Sequence, residues 1–365
     1  MSVDHQQLLP PEDPVQLLRE DGTPVDDPAW PIDLTDDELQ QLHRWMVITR
    51  AVDREAINLQ RQGQLAVYAS CLGQEAAQVG SAAAMAATDW VFPSYRELGA
   101  ATVRGIDPIS LMHMYRGTWL ADHDPLATRF GMLTIPIATQ TLHATGFAMG
   151  TKLDGESTVT IVYLGDGATS EGDTHEALTF AGVFGAPIVF FVQNNQYAIS
   201  VPVSRQTAAP TIAHKGIGYG IPGRRCDGND VLASFAVTPG AVERARRGDG
   251  PTLIEAVTYR REAHTTSDDA GRYRSDDELA DAERRDPIER FSRYLRDRGL
   301  LDDARDAAVA TEAADAAAEV RSAIYDAPHG DPEELFAHVY AQEVHALDED
   351  RARLRQRIAA TQERS

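Results

Sequence analysis

The chain has 365 residues, 43% of them apolar and 25% charged, the balance of a globular protein with room for one large domain or two ordinary ones. Basic residues number 34 and acidic ones 56, a formal charge of −22. A surface this acidic repels nucleic-acid phosphates and anionic lipid, so neither nucleic acid nor a membrane is an expected partner.

Residues 1–33 are rich in proline and acid and lack periodicity, which reads as an extended N-terminal arm. The opening MSVDHQQLLPPEDP has no basic start and no apolar core, unlike a signal peptide. Thr35 then stands three places before Glu38, a helix-start signature, and Leu39, Leu42, Met46 and Val47 follow at helical spacing. GQEAAQVGSAAAMAATD reads as a second helix, WVFPSYREL as a short strand or turn leading into a third, and DPISLMHMYRGTW as another. ATQTLHATGFAMGTKLD is a small-residue helix suited to close packing. The pattern then changes. TVTIVYL and PIVFFV are continuous apolar runs, rich in β-branched and aromatic residues, as in strands of a parallel sheet covered on both faces. Between them Ala177, Phe180, Ala181 and Phe184 recur at helical spacing. The uncharged stretch Phe180–Ser204 is broken by Gly185, Pro187 and two asparagines, so it is a helix end plus a strand and no membrane span. PTLIEAVTYR is a third strand, and an alanine-rich helical tail follows. The expected fold is α/β, a doubly wound, mostly parallel sheet flanked by helices. The expected division is an arm at 1–33, an α/β domain at 34–325 and a helical tail at 326–365. Cys71 and Cys226, the only cysteines, form neither a disulfide framework nor a metal-type spacing, which suits a reducing cytoplasm.

YLGDGATSEGD, at the end of the first long strand, asks what an aspartate between two glycines holds. Strand, Gly-Asp-Gly turn, helix and strand form one βαβ unit, whose two strands must be parallel. Asp166 and the pair Asn194–Asn195 then meet at one sheet edge, where ligands of such sheets bind. A carboxylate, a carboxamide oxygen and a backbone carbonyl are hard ligands that suit Mg²⁺ or Ca²⁺ rather than zinc. Mg²⁺ completes its shell with phosphate oxygens, and the glycines with the following helix N-terminus let backbone N–H groups approach them. Asp166 is thus expected to hold a metal, and the metal a diphosphate.

GDGATSEGDTHEALTFAGVFGAPIVFFVQNNQYAIS resembles the thiamine diphosphate motif. The EG after GDG and the YAIS after NN resemble the alpha subunit of the decarboxylase component of 2-oxo acid dehydrogenase complexes, branched-chain type, over about Leu34 to Arg298. The resemblance implies metal ligation by the Asp166 and Asn195 side chains and the Tyr197 carbonyl, with Gly165, Gly167 and Ala168 lining the diphosphate. In VFPSYREL it assigns Tyr95 and Arg96 to the diphosphate, where a forked guanidinium suits phosphate oxygens. In TIPIATQ it places Ile137 under the bent cofactor and Ile135 against the ring through its backbone. Thr134, Thr139 and Gln140 match a structural potassium site of some relatives. In YRREAHTTSDDAGRYRS it makes His264 the active-site histidine, able to donate a hydrogen bond or move a proton. Ser267, Asp268, Asp269, Tyr273 and Arg274 would organise that loop, and Thr265 stands where mitochondrial relatives carry a regulatory serine. Val67 and Tyr68 would face the substrate. The other ten histidines carry no role.

The chain shows one cofactor-gripping module, so the resemblance implies a beta subunit in an α2β2 assembly. It further implies oxidative decarboxylation of a branched-chain 2-oxo acid with acyl transfer to a lipoyl acyltransferase. Pyruvate and acetoin dehydrogenase alpha subunits are the nearest alternatives. A Mg²⁺-dependent phosphohydrolase and a non-catalytic scaffold subunit are alternatives of other classes. One departure stands out: Gln193 replaces a phosphate-binding arginine of some branched-chain relatives, leaving Arg96 with more to do. GTWLADHDPLATRFGML is shorter than the family's segment there, and the histidine that often precedes the catalytic one is absent, Glu262 and Ala263 taking its place.

Overall fold

The computed structural model describes residues 8–118, 123–328, 331–337 and 339–362. Its centre is a five-stranded, wholly parallel sheet of β1 (Trp90–Phe92), β2 (Thr160–Gly165), β3 (Ile188–Asn194), β6 (Gly223–Asp227) and β7 (Thr252–Val257), in the order β1-β2-β3-β7-β6. A small antiparallel ribbon, β4 (Tyr197–Ala198) with β5 (Val201–Pro202), follows β3. The expected parallel, doubly wound α/β fold is what forms.

The apolar runs explain why. Along β2, Ile161 and Tyr163 enter one core while Val162 and Leu164 enter the other, all four with no exposed surface. In β3, Val189 and Phe191 go one way, and Ile188, Phe190 and Val192 the other. Each such side chain contributes roughly 1.5–3 kcal/mol on burial, so only a strand covered on both faces satisfies the sequence. The larger core lies under α1 (Asp36–Arg61), α2 (Glu75–Ala83), α3 (Leu98–Val103) and α4 (Pro108–Arg116). After the single turn α5 (Pro125–Thr128), helices α6 (Thr139–Leu153) and α7 (Gly172–Phe184) cover the second face. The helix α8 (Val231–Arg246) returns to the first.

Thr35 caps α1 as expected: its side chain accepts from the Glu38 amide, and Glu38 reaches back to the Thr35 N–H at 2.8 Å. Beyond the sheet come α9 (Asp276–Arg284), α10 (Pro287–Asp297) and α11 (Asp303–Asp326), the last lying along α1. The single turn α12 (Glu334–Ala337) and α13 (His345–Gln362) close the described chain. Among the described residues no helix is long and apolar enough to cross a membrane. Cys71 and Cys226 are both free and buried.

The arm is docked rather than loose. The Val15 N–H donates to the Arg225 carbonyl at 3.0 Å and its own carbonyl accepts from the Asp227 N–H at 2.9 Å, adding a bridge to the β6 edge. The amides of Leu17 and Leu18 both donate to Asp230 Oδ2, and Leu18 is fully buried. Asp230 also caps α8, and Arg290 joins the arm carbonyls of Leu18 and Arg19 to Asp227. These polar contacts are joined by Val15, Leu17 and Leu18, which are buried in the larger core without a regular apolar period.

Candidate active site

The register puts the strand ends level. Gly165 pairs with Gln193, and Asn194 with Val257, so Asp166, Asn195 and the segment after β7 share one rim. A cleft opens there. Ten of the eleven expected site residues line it: Tyr95, Arg96, Ile137, Gly165, Asp166, Gly167, Ala168, Asn195, Tyr197 and His264. Ile135 does not, its side chain standing 52% exposed outside the lining. Thr134 and Gln140 line the cleft and Thr139 does not. The substrate-facing expectation for Val67 and Tyr68 is not met. Neither lines the cleft, and Tyr68 is buried with its hydroxyl on Asp53 at 2.8 Å. His5, His329 and His338 lie outside the described residues.

One corner of the cleft gathers oxygens. Asn195 Oδ1 stands 3.2 Å from Asp166 Oδ1 and 3.2 Å from the Tyr197 carbonyl oxygen. Gln196, at φ +79°, bends the chain between Asn195 and Tyr197, a left-handed conformation that costs a non-glycine residue about 1–2 kcal/mol. Oxygens at right angles on a Mg²⁺ ion lie about 3 Å apart, since each is about 2.1 Å from the metal. A bound cation would suit the oxygen-inward orientation; without one the Asn195 amide gains two hydrogen bonds by turning over, from Nδ2 to both neighbours. Among the described residues no group of three or more His, Cys, Asp or Glu could hold a metal, so the mixed oxygen corner is the candidate. Asp166 is 1% exposed. Burial pushes its carboxyl above the usual range, and the Gln206 hydrogen bond, at 2.5 Å, pulls it back.

The Gly167–Ser170 turn that follows is built for close approach. A Cβ on Gly167 would lie 2.6 Å from the Ala198 Cβ, so only glycine fits beside the ribbon. Lys215, one of the two lysines, clamps this turn through its ammonium to Thr169 O at 2.9 Å and Oγ1 at 2.8 Å. The N-terminus of α7 begins directly after it. These features fit a diphosphate held through a cation at a helix N-terminus.

The opposite wall is cationic. Arg96 is 6% exposed, and its Nη2 donates to the His264 carbonyl at 2.8 Å. Arg260 is 1% exposed and donates to the Tyr197 carbonyl at 2.9 Å and the Tyr273 hydroxyl at 2.9 Å. Both guanidiniums stand 3.4 Å from His264 Nδ1. Facing two donors, Nδ1 accepts and Nε2 carries the proton of the neutral ring. Burial, then Arg96 and Arg260, push the His264 imidazole down to about 4, with Asp268 opposing. The folded form is therefore harder to protonate than the unfolded one. The contribution of His264 to stability is complete above its ordinary value of 6.5 and is lost as pH falls through about 4. In the cofactor-free protein an NMR titration is expected to find this histidine still neutral at pH 5.5, and Arg96→Met to raise its pKa.

Arg260, Gln74, Gln206 and Lys215 went unrecognised as site residues in the sequence. Arg260 had a usable signal, standing just past β7 on the same rim as His264. It also changes the reading of Gln193. That residue donates to Glu97 Oε1 at 2.6 Å and accepts from Gln78 at 2.9 Å, so it faces neighbours rather than replacing a cation. Arg260 supplies the second guanidinium, and Arg96 is not alone.

The sequence profile of the family described as "Dehydrogenase E1 component" matches residues 43–333, most of the chain. The chain belongs to this family. The dehydrogenase E1 components are thiamine diphosphate-dependent oxidoreductases, and the cleft's orphaned polar atoms and paired arginines suit that cofactor. This E1 chain is 53% identical to the 3-methyl-2-oxobutanoate dehydrogenase subunit alpha of Mycobacterium tuberculosis over 349 residues, 96% of this chain and 95% of that protein. It is 43% identical to the pyruvate dehydrogenase E1 component subunit alpha of Bacillus cereus, covering 78% of this chain and 77% of that one. To the Staphylococcus epidermidis subunit of the same name it is 41% identical, over 86% and 84%.

Proposed function

We propose that this chain is the alpha subunit of a branched-chain 2-oxo acid dehydrogenase, and that Asp166, Asn195 and the Tyr197 carbonyl hold Mg²⁺ for the cofactor diphosphate. The observation that carries the reading is the Asn195 carboxamide standing 3.2 Å from both the Asp166 carboxylate and the Tyr197 carbonyl, at the level ends of β2 and β3. Gly165, Gly167 and Ala168 border the diphosphate, and Tyr95, Arg96 and Arg260 face its charge. Ile137, 45% exposed in the cleft, supports the ring system, and Ile135 lies beside it. Gln140 Oε1 is buried without a partner, an oxygen suited to a potassium ion with Thr134 and Thr139.

Thiamine diphosphate supplies the carbon nucleophile for decarboxylation of a 2-oxo acid. The chain's own part is orientation and charge. His264, held neutral with Nδ1 turned to the arginines, presents Nε2–H to the substrate oxygen on which negative charge develops. The buried guanidiniums keep that proton donor in one tautomer.

Met132, Ile135, Ile137, Ile199 and Val201 are each at least 42% exposed on segments bordering the cleft. Such a rim suits cover by a beta subunit, completing an α2β2 assembly in the cytoplasm that passes its acyl group to a lipoyl acyltransferase. The division into arm 1–33, cofactor domain 34–325 and tail 326–365 is part of the same reading. The 53% identity to a 3-methyl-2-oxobutanoate enzyme favours branched substrates; the 43% identity to a pyruvate enzyme keeps pyruvate as the second reading. Decarboxylation by the assembled alpha and beta subunits tests the choice. The expected kcat/KM for 3-methyl-2-oxobutanoate exceeds that for pyruvate at least about tenfold, the scale of methylene discrimination. The reverse order assigns the chain to pyruvate.

A further inference from the structure

Two glutamines stand behind the oxygen corner, and each leaves one buried amide atom without a partner. Gln206 Nε2 donates to Asp166 Oδ2 at 2.5 Å and to the Val201 carbonyl at 2.9 Å, while its Oε1 is buried and unpaired. Gln74 is fully buried in the cleft lining. With Asn195 oriented oxygen-inward, as on a cation, Gln74 Oε1 accepts from Asn195 Nδ2 at 3.1 Å and its Nε2 is left unpaired. The two contacts have opposite sense. One glutamine donates to the carboxylate, occupying Oδ2 and leaving Oδ1 free. The other accepts from the carboxamide, turning its oxygen inward. In the orientation a bound cation would select, Asp166 Oδ1 and Asn195 Oδ1 face each other across 3.2 Å; without a cation the Asn195 amide gains hydrogen bonds by turning over.

We propose that Gln74 and Gln206 are positioning residues for the cation, a pair of amides that fix which oxygen each ligand presents. The proposal rests on the reading of the cleft as a cation–diphosphate site and deepens it. The unpaired atoms complete the arrangement. Gln206 Oε1 is an acceptor for a water on the cation, and Gln74 Nε2 is a donor for a diphosphate oxygen. An unpaired buried amide atom is costly, and a bound cation and phosphate would give it a partner. A glutamine is required at both places because one amide must donate where the other accepts, without adding charge beside Asp166. The third ligand, the Tyr197 carbonyl, is held separately by Arg260.

The test is Mn²⁺ binding, followed by electron paramagnetic resonance, to the full-length chain assembled with its beta subunit in the presence of thiamine diphosphate. Gln206→Met is expected to weaken Mn²⁺ at least about tenfold, the scale of an outer-sphere ligand contact. Gln74→Met is expected to weaken both Mn²⁺ and thiamine diphosphate. The melting temperature without metal should stay within about 2 °C of the parent, because the corner is stabilised only when loaded. Gln206 lies on a partly exposed segment, so its variant decides the matter even if Gln74→Met does not fold. Mn²⁺ affinity for Gln206→Met within about twofold of the parent overturns the proposal, as does a loss matched by a comparable fall in metal-free stability. A parent protein that binds no Mn²⁺ sinks the cation site itself, a different failure.

Discussion

Asp166→Ala is expected to abolish retention of thiamine diphosphate by the assembled enzyme while leaving the fold intact. Asp166 is the only carboxylate of the oxygen corner, and burial makes its charge costly unless a cation answers it. Removing it leaves two neutral oxygens, Asn195 Oδ1 and the Tyr197 carbonyl, too little to hold a divalent ion. The loss in Mg²⁺-dependent cofactor affinity should be at least about 100-fold, beyond what an outer-sphere contact supplies. Tryptophan fluorescence quenching during cofactor titration measures it. Metal-free stability should not fall, because alanine removes a carboxylate whose burial is itself costly, and its hydrogen bonds from Gln206 and the turned Asn195 amide offset that cost only in part. Retention of the cofactor at parental affinity contradicts the assignment.

His264→Ala is expected to separate binding from chemistry. The ring meets Arg96 and Arg260 only at Nδ1, and those arginines keep other partners: Ser70 and the His264 carbonyl for one, Tyr197, Ile199 and Tyr273 for the other. The phosphate-facing charge therefore survives the substitution. What goes is the Nε2–H donor. Turnover to the acyl acceptor should fall about 100- to 1,000-fold, the usual loss for one donor to a developing oxyanion, with cofactor affinity within about threefold of parental. Steady-state kinetics beside calorimetric titration distinguishes this from a structural role, which would move both.

Much of the fold was legible because both faces of the sheet are apolar. TVTIVYL and PIVFFV admit little else, and their ends fix where Asp166 and Asn195 must stand. The strand Gly223–Asp227 was not legible, since GRRCD carries two arginines and lies at the sheet edge, where one side faces the docked arm. The arm's docking was hidden for a related reason, resting on Asp230 and Arg290 and on a few buried side chains, Val15, Leu17 and Leu18, that follow no strand or helix period. In the site, side chains next to strand ends could be placed by register. The glutamines could not. Gln74 lies just before α2 and Gln206 beyond the β4–β5 ribbon, and no spacing in the chain announces that they meet Asn195 and Asp166. Nor could sequence show that Tyr68 turns inward to Asp53, because a buried hydroxyl's partner is a tertiary matter.

A crystal of the assembled enzyme grown with Mn²⁺ and thiamine diphosphate, examined by anomalous scattering, tests the oxygen corner most directly. The expected peak lies within about 2.3 Å of Asp166 Oδ1, Asn195 Oδ1 and the Tyr197 carbonyl oxygen, close to the distances of hard divalent ions. A cofactor seated in the cleft with the manganese elsewhere, or with Asn195 Nδ2 turned toward Asp166, would contradict it.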